Sequence, residues 1–235
     1  MRKKPSVVSL LVTVALLAGC TTVDPAAFKP NKRYAVVSFY YNHNLYANSA
    51  REKVVDRNGR TLDTEPYVRR IAGPFLQKFL PAFAGASPFK VTYGPEVLRT
   101  RAYAKAAPTS GASLIAFKPV PVGGYHVYQM DQTVNLGQLA RDLNVDGVLV
   151  IYHHFFMIGE GTLSNANPAI TSVIVAFDRD GNKVLQEYTQ YTCRRTVKAA
   201  KSYEVDVNGI AKAIVDEADS AGRNLARYIA EKIRG

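Results

Sequence analysis

Apolar positions along the chain follow two spacings, and each change of spacing marks an element. Residues 34–41 (Tyr-Ala-Val-Val-Ser-Phe-Tyr-Tyr) are almost unbroken in apolarity and rich in β-branched and aromatic side chains, the pattern of a strand buried on both faces. The polar stretch from Asn42 to Asp63, with Asn58-Gly59 as a turn signal, predicts a loop holding one short helix around Ser49 to Val55. Thr64-Glu65-Pro66 can open a helix with Thr64 as its cap. Tyr67, Ile71, Phe75 and Phe79 then recur at helical steps, with a kink expected at Gly73-Pro74 and an end at Pro81.

Phe89 to Tyr93 reads as a short strand and Pro95 to Ala106 as a short helix. Between Pro108 and Gln129, Pro119, Pro121 and Gly123-Gly124 interrupt any long element, so a long loop is expected, with local strand character at Leu114 to Phe117. A loop of that length in a compact domain is a candidate contact region. Thr133 can cap a helix through Leu143, and Asn144-Val-Asp-Gly147 leads directly into the apolar run Val148 to Tyr152. Ile170 to Phe177 and Lys183 to Thr192 make a hairpin around Asp178-Arg-Asp-Gly-Asn182, where the glycine suits a positive φ. A last helix is expected from about Val207 to Ile233, with Ile210, Ile214, Ala218, Ala221, Leu225, Tyr228 and Ile229 in one stripe. Asp216, Glu217 and Asp219 precede Arg223, Arg227 and Lys232 along it, a charge order that suits the helix dipole.

Strands alternating with helices and one antiparallel hairpin define the expected fold class as α/β: a single mixed-sheet domain over residues 34–235, with flanking helices and a long C-terminal helix. Ahead of it, Arg2, Lys3 and Lys4 precede the apolar run Val7 to Leu17 and the small residues Ala18 and Gly19. This is the order of a cleaved export signal over residues 1–19. At 1.5 Å per residue the run covers roughly half of a hydrocarbon core about 30 Å thick, too little for a stable span. Leu17-Ala18-Gly19-Cys20 resembles the lipobox of bacterial lipoproteins, which implies cleavage before Cys20 and lipidation of its sulfur. Three acyl chains exceed the two signals that stable attachment requires. Residues 20–33, with Pro25 and Pro30, read as a lipidated tether that could reach about 40 Å. Thr21 stands where an Asp holds enterobacterial lipoproteins in the inner membrane, so an outer-membrane position facing the periplasm is expected.

Across 235 residues, 47% are hydrophobic and 21% charged, which excludes disordered and multidomain classes. The net charge is +11; residues 1–19 hold three of the 30 basic residues and no acidic one, so 27 basic against 19 acidic residues leave +8 on the remainder. Arg194, Arg195, Lys198 and Lys201 form the densest basic run, interleaved with Tyr191, Thr192 and Tyr203. Such a run either contacts an anionic surface, such as lipid headgroups or an acidic protein face, or is a solvated loop. Export removes nucleic acid as a partner. With Cys20 lipidated, Cys193 has no internal disulfide partner and is an intermolecular bridge, a reactive thiol beside Arg194 and Arg195, or a buried apolar residue. Only His43, His126, His153 and His154 offer imidazoles; the last two are consecutive on a strand and face opposite sides, which keeps both off one metal. No zinc, phosphate-loop or nucleophile-elbow motif occurs, so no metal, cofactor or catalytic residue is expected.

The element order, the junction Leu-Ala-Arg-Asp-Leu-Asn-Val-Asp-Gly-Val-Leu-Val over 139–150, the hairpin at Asp178 to Asn182 and the closing helix together resemble an envelope α/β fold. It is similar to the domain of the curli secretion channel lipoprotein, of the lipoprotein activators of penicillin-binding proteins, and of the TolB N-terminus. The resemblance spans roughly residues 33–233 and implies a lipid-anchored scaffold or accessory subunit of an envelope assembly or export complex, with a protein partner or copies of itself. Two alternatives stay open: an envelope enzyme with a dispersed active site, and a ligand-binding lipoprotein with a cleft under the 108–129 loop.

Overall fold

The apolar run that opens the domain forms the sheet's central strand, β2 (Arg33–Tyr46), and nearly every side chain along it is buried. A computed structural model describes residues 22–47, 53–55, 58–107, 118–128, 134–158, 165–198 and 206–234. β2 runs parallel to β5 (Gly147–Ile158) on one side. On its other side it meets β3 (Lys90–Thr92) in parallel near its start and β4 (Pro119–Pro121) antiparallel near its end. β5 pairs antiparallel with β6 (Asn165–Asp178), which pairs with β7 (Lys183–Thr192). β1 (Thr22–Val23) closes the edge on β7, and β8 (Val197–Lys198) adds to the start of β6. The order along the sheet is therefore β1-β7-β6-β5-β2-β3.

Helices cover both faces, which is why β2 and β5 are apolar without alternation. Helices α1 (Glu65–Ala86), α5 (Val207–Asp216) and α6 (Ala218–Arg234) bury Phe75, Phe79, Ile210, Ile214, Leu225 and Ile229 against Phe39, Ile151, Phe155 and Ile174. The short helices α2 (Pro95–Leu98), α3 (Arg101–Lys105) and α4 (Leu136–Asp142) pack Val97, Tyr103, Leu136 and Leu139 onto Val37, Val148, Val150 and Phe177. The fold is α/β with a mixed sheet, as expected. The hairpin is in place: the Asp178 carboxylate accepts from the Asp180 and Asn182 N–H groups at 2.9 and 2.8 Å, and Gly181 takes φ +84°.

Several elements differ from the sequence-based expectation. The helix opened by Glu65 does not end at Pro81: it is unbroken to Ala86, with Pro74 and Pro81 inside it. Each proline removes a hydrogen bond at a cost near 3 kcal/mol. Phe75, Phe79 and Phe83, all fully buried, each return about 1.5–3 kcal/mol, and the carbonyl of Ala72 accepts from the Tyr41 hydroxyl at 3.0 Å. Thr64 does not cap this helix with its side chain; its hydroxyl accepts the Leu45 N–H at 2.9 Å and ties the helix start to β2. The C-terminal helix is interrupted at Glu217. Asn135 caps α4, accepting from the Gln138 N–H at 2.8 Å, while Thr133 lies outside the described residues. In the expected short helix at 49–55, Lys53 and Val55 instead bridge to Tyr46 and Thr61, and residues 49–52 are outside the described set. Expected strand character at 114–117 also falls outside it, whereas Pro119–Pro121 forms an edge strand, where prolines are tolerated.

Candidate functional site

Cys20 and residues 1–19 lie outside the described residues, but the stretch just after them does not behave as a tether. Thr22 and Val23 pair with Gln186 and Leu185 of β7, and the Asp24 N–H reaches the Val184 carbonyl at 2.9 Å. Asp24 then caps a 3-10 turn over Pro25–Ala27, whose last carbonyl accepts from the Tyr34 hydroxyl at 3.1 Å. Phe28 is 2% exposed, stacked on Tyr34 with ring centroids 5.0 Å apart and 5.2 Å from Phe89. The expected tether over 20–33 is therefore a docked strap from Thr22 onward. The side chain that holds it, Phe28, is a single aromatic in a polar, proline-containing stretch and has no neighbour in sequence that betrays a pocket.

The basic run sits where β7 ends beside the break between α5 and α6. Glu217, the residue of that break, accepts three hydrogen bonds from this corner: from the Tyr191 hydroxyl at 2.5 Å, the Arg194 N–H at 2.7 Å and the Arg195 N–H at 3.3 Å. Its carboxylate fills the role an external anion would take at such a cluster of N–H groups. Arg194 and Arg195 have exposed side chains, and the Arg195 guanidinium lies 3.5 Å from Asp216, which Lys212 also approaches at 2.9 Å. The Lys212 hydrogen bond, with Lys78 and Arg195 near, holds the Asp216 carboxyl below the usual carboxylate range. Lys198 belongs to β8; its side chain and the whole of Lys201 are outside the described set, so these four cations are not assembled by the described structure into one patch. In the sequence Glu217 counts only toward the charge order of the last helix, because the apolar stripe passes through its turn without a break and gives no sign of its contact with the end of β7.

Next to this corner an open groove of about 350 Å3 runs between α1 and α5. Ile71, Pro74, Ala211 and Val215 floor it, and Arg70, Lys212 and Asp216 stand on its rims. Arg70 is held by Asn208 at 2.5 Å. Cys193, just before the basic run, is wholly buried, and desolvation pushes its thiol up to about 12. An unionised, enclosed thiol is a poor nucleophile, and the apolar alternative fits this residue.

The histidines divide as their alternation requires. His153 faces α1, with Phe79, Phe39, Phe75 and Tyr41 at ring distances of 4.6, 4.9, 5.1 and 5.6 Å. His154 faces the other side, beside Tyr152 and Phe156. Nδ1 of His153 shares a hydrogen bond with the Ser172 hydroxyl at 3.0 Å, while its Nε2 has no partner. A serine beside an imidazole is an arrangement that nucleophilic catalysis uses. Here both are sealed, at 0% and 2% exposure, and desolvation lowers the imidazole pKa to about 3. His126 stacks on Tyr103 at 4.4 Å, and burial lowers its pKa as well. Among the described residues no three His, Cys, Asp or Glu side chains converge as metal ligands would, and no helix is long and apolar enough to cross a membrane.

No family model matches the chain, and no curated protein does. Solved structures similar to parts of it include a hypothetical protein from Chlamydia trachomatis, at 10% identity and TM-score 0.31 over 82% of this chain and 98% of that one. The PelC dodecamer from Paraburkholderia phytofirmans overlays at 10% identity and TM-score 0.24, covering 87% of this chain and 94% of that one. A protein from Caulobacter crescentus described as a lipoprotein overlays at 14% identity and TM-score 0.21, covering 35% and 69%. Overlays this loose carry no argument about the function of this chain.

Proposed function

We propose that this chain is a lipoprotein of a bacterial envelope, anchored through acylated Cys20, whose α/β body acts as a non-catalytic scaffold or accessory subunit of a periplasmic or outer-membrane assembly or export complex. The observation that carries the reading is the N-terminal order: a basic stretch, an apolar run too short to span, and Leu-Ala-Gly-Cys over 17–20, followed within two residues by chain built into the sheet. Support for a scaffold comes from where the chemistry-bearing groups lie. His153, Ser172 and Cys193 are spent inside the core, whereas Arg70, Lys212 and Asp216 line an open groove and Arg194 and Arg195 are exposed at the end of β7.

Crosslinking in intact cells followed by mass spectrometry tests both halves. The full chain should give a discrete adduct with an envelope protein or with itself, and Cys20→Ser should accumulate as uncleaved precursor and lose that adduct. Recovery of monomer alone from the full chain overturns the scaffold role. Normal lipid labelling of Cys20→Ser overturns the anchor.

A further inference from the structure

The docked strap restricts how the body can sit on its membrane. Between Cys20 and Thr22 there are two residue steps, a reach of at most about 7 Å. A body of some 200 residues has a radius of gyration of about 16 Å. A 40 Å tether would let such a body turn freely, but a link less than half its radius does not. The surface around Thr22 must face the bilayer that holds the acyl chains.

That surface has the composition of a headgroup contact. Thr22 pairs with Gln186, and two residues further along β7 stands Tyr188, 52% exposed and one of the exposed large hydrophobics of the described structure. At about 3.4 Å per strand residue and about 4.8 Å between neighbouring strands, Tyr188 lies about 8 Å from Thr22, close to the reach of Cys20. Exposed Lys183 lies on the same strand, its ammonium 2.5 Å from the Gln186 amide oxygen. The other side of the edge is covered by α6, which touches the Pro25–Ala27 turn. There Lys232 lies 5.4 Å from the Tyr228 ring centre, and both bear on buried Glu187, the β7 residue next to Gln186. Of the acidic groups nearby, Glu231 is paired with Arg227 at 3.9 Å and the exposed Asp24 carboxylate accepts the Ala26 N–H at 3.0 Å. The Tyr188 ring is exposed while its hydroxyl lies 3.4 Å from the Thr171 hydroxyl, and half-buried Tyr228 turns toward Glu187 beneath Lys232. Lysines attract anionic headgroups, and an aromatic and cationic pairing is favoured at a membrane interface.

We infer that the strip flanking β1, formed by Tyr188 and Lys183 of β7 and by Tyr228 and Lys232 of α6, rests on the anionic headgroup layer beside the acylated Cys20. The inference rests on the anchor proposed above. It leaves the opposite edge of the sheet, at β3 and β4, facing away from the bilayer.

The test uses the full acylated chain in nanodiscs of phosphatidylglycerol and phosphatidylcholine, with photoreactive p-benzoylphenylalanine replacing either Tyr188 or, as the far-side control on α2, Glu96. The acyl mass on Cys20 is read from the same samples. A lipid adduct at 188 with only background at 96 is the expected result. Acylated protein with equal lipid adduct at both positions, or none at 188, overturns the orientation and leaves the anchor standing. A protein adduct in place of lipid at 188 overturns it in favour of a docking edge. Absence of acyl mass overturns the orientation and the anchor together.

Discussion

At the scale of single residues, His153 is the side chain whose cost is most exposed to measurement. Four aromatic rings enclose it, Ser172 satisfies one nitrogen, and the other has no partner. Desolvation lowers its pKa to about 3, so the native ring stays neutral while an unfolded chain protonates below about pH 6.5. In that window the unfolded state binds one more proton. Stability therefore falls as pH drops from 6.5 toward 3, by up to about 1.4 kcal/mol per pH unit, and is unaffected by this group above it. His153→Gln retains a partner for Ser172 and cannot titrate. Its urea midpoint should decline less than that of the parent between pH 6.5 and 4.5; parallel declines would show that the ring does not control the acid limb. The two-residue period of a strand predicted that His153 and His154 face opposite sides, but not that both are buried or that His153 is the one ringed by Phe75 and Phe79, since that depends on α1 lying over its face.

At the scale of elements, the contact between α1 and α6 sets how closely the helical layer can assemble. A β-carbon on Gly222 would stand 2.5 Å from the Phe79 carbonyl oxygen and 3.0 Å from the Phe83 nitrogen, both backbone atoms with no rotamer to yield. Gly222→Val should therefore cost about 1–3 kcal/mol, read as a lower denaturant midpoint. Gly85→Ala, within α1 and with nothing near the added carbon, should instead be neutral or stabilising by up to about 1 kcal/mol. Equal effects at the two glycines would mean that helix propensity, not backbone approach, governs both. This contact also explains why the prolines of α1 misled local reading. Pro74 and Pro81 are legible as breakers, but Val68, Ile71, Phe75, Phe79 and Phe83 are pressed between the sheet and α6, which no local window contains.

At the scale of the molecule, the strap joins the N-terminal segment to the body, and Phe28 is its fastener. Removing a ring packed between Tyr34 and Phe89 should cost about 3 kcal/mol. More specifically, Phe28→Ala should open residues 22–32 to protease while the remainder stays resistant, as seen by N-terminal sequencing of the fragments. A strap as resistant as in the parent would show that the two-residue ladder on β7 holds it alone. Loss of the whole fold would assign Phe28 to the common core.

What the amino-acid order determined alone is whatever depends on neighbours a few positions apart: the main strand and helix order, the Asp178–Asn182 hairpin and the opposed histidines, and the proposed lipidation signal at Cys20 is read from the same local order. The tertiary structure decided the rest. It docked the presumed tether, carried α1 through two prolines, broke the last helix at Glu217 and turned that carboxylate onto the N–H groups of Arg194 and Arg195. Those outcomes turn on burial and hydrogen bonding between groups distant in sequence, such as Phe28 with Phe89 and Tyr191 with Glu217. Local propensities of a kilocalorie or so yield to such contacts once the layers close.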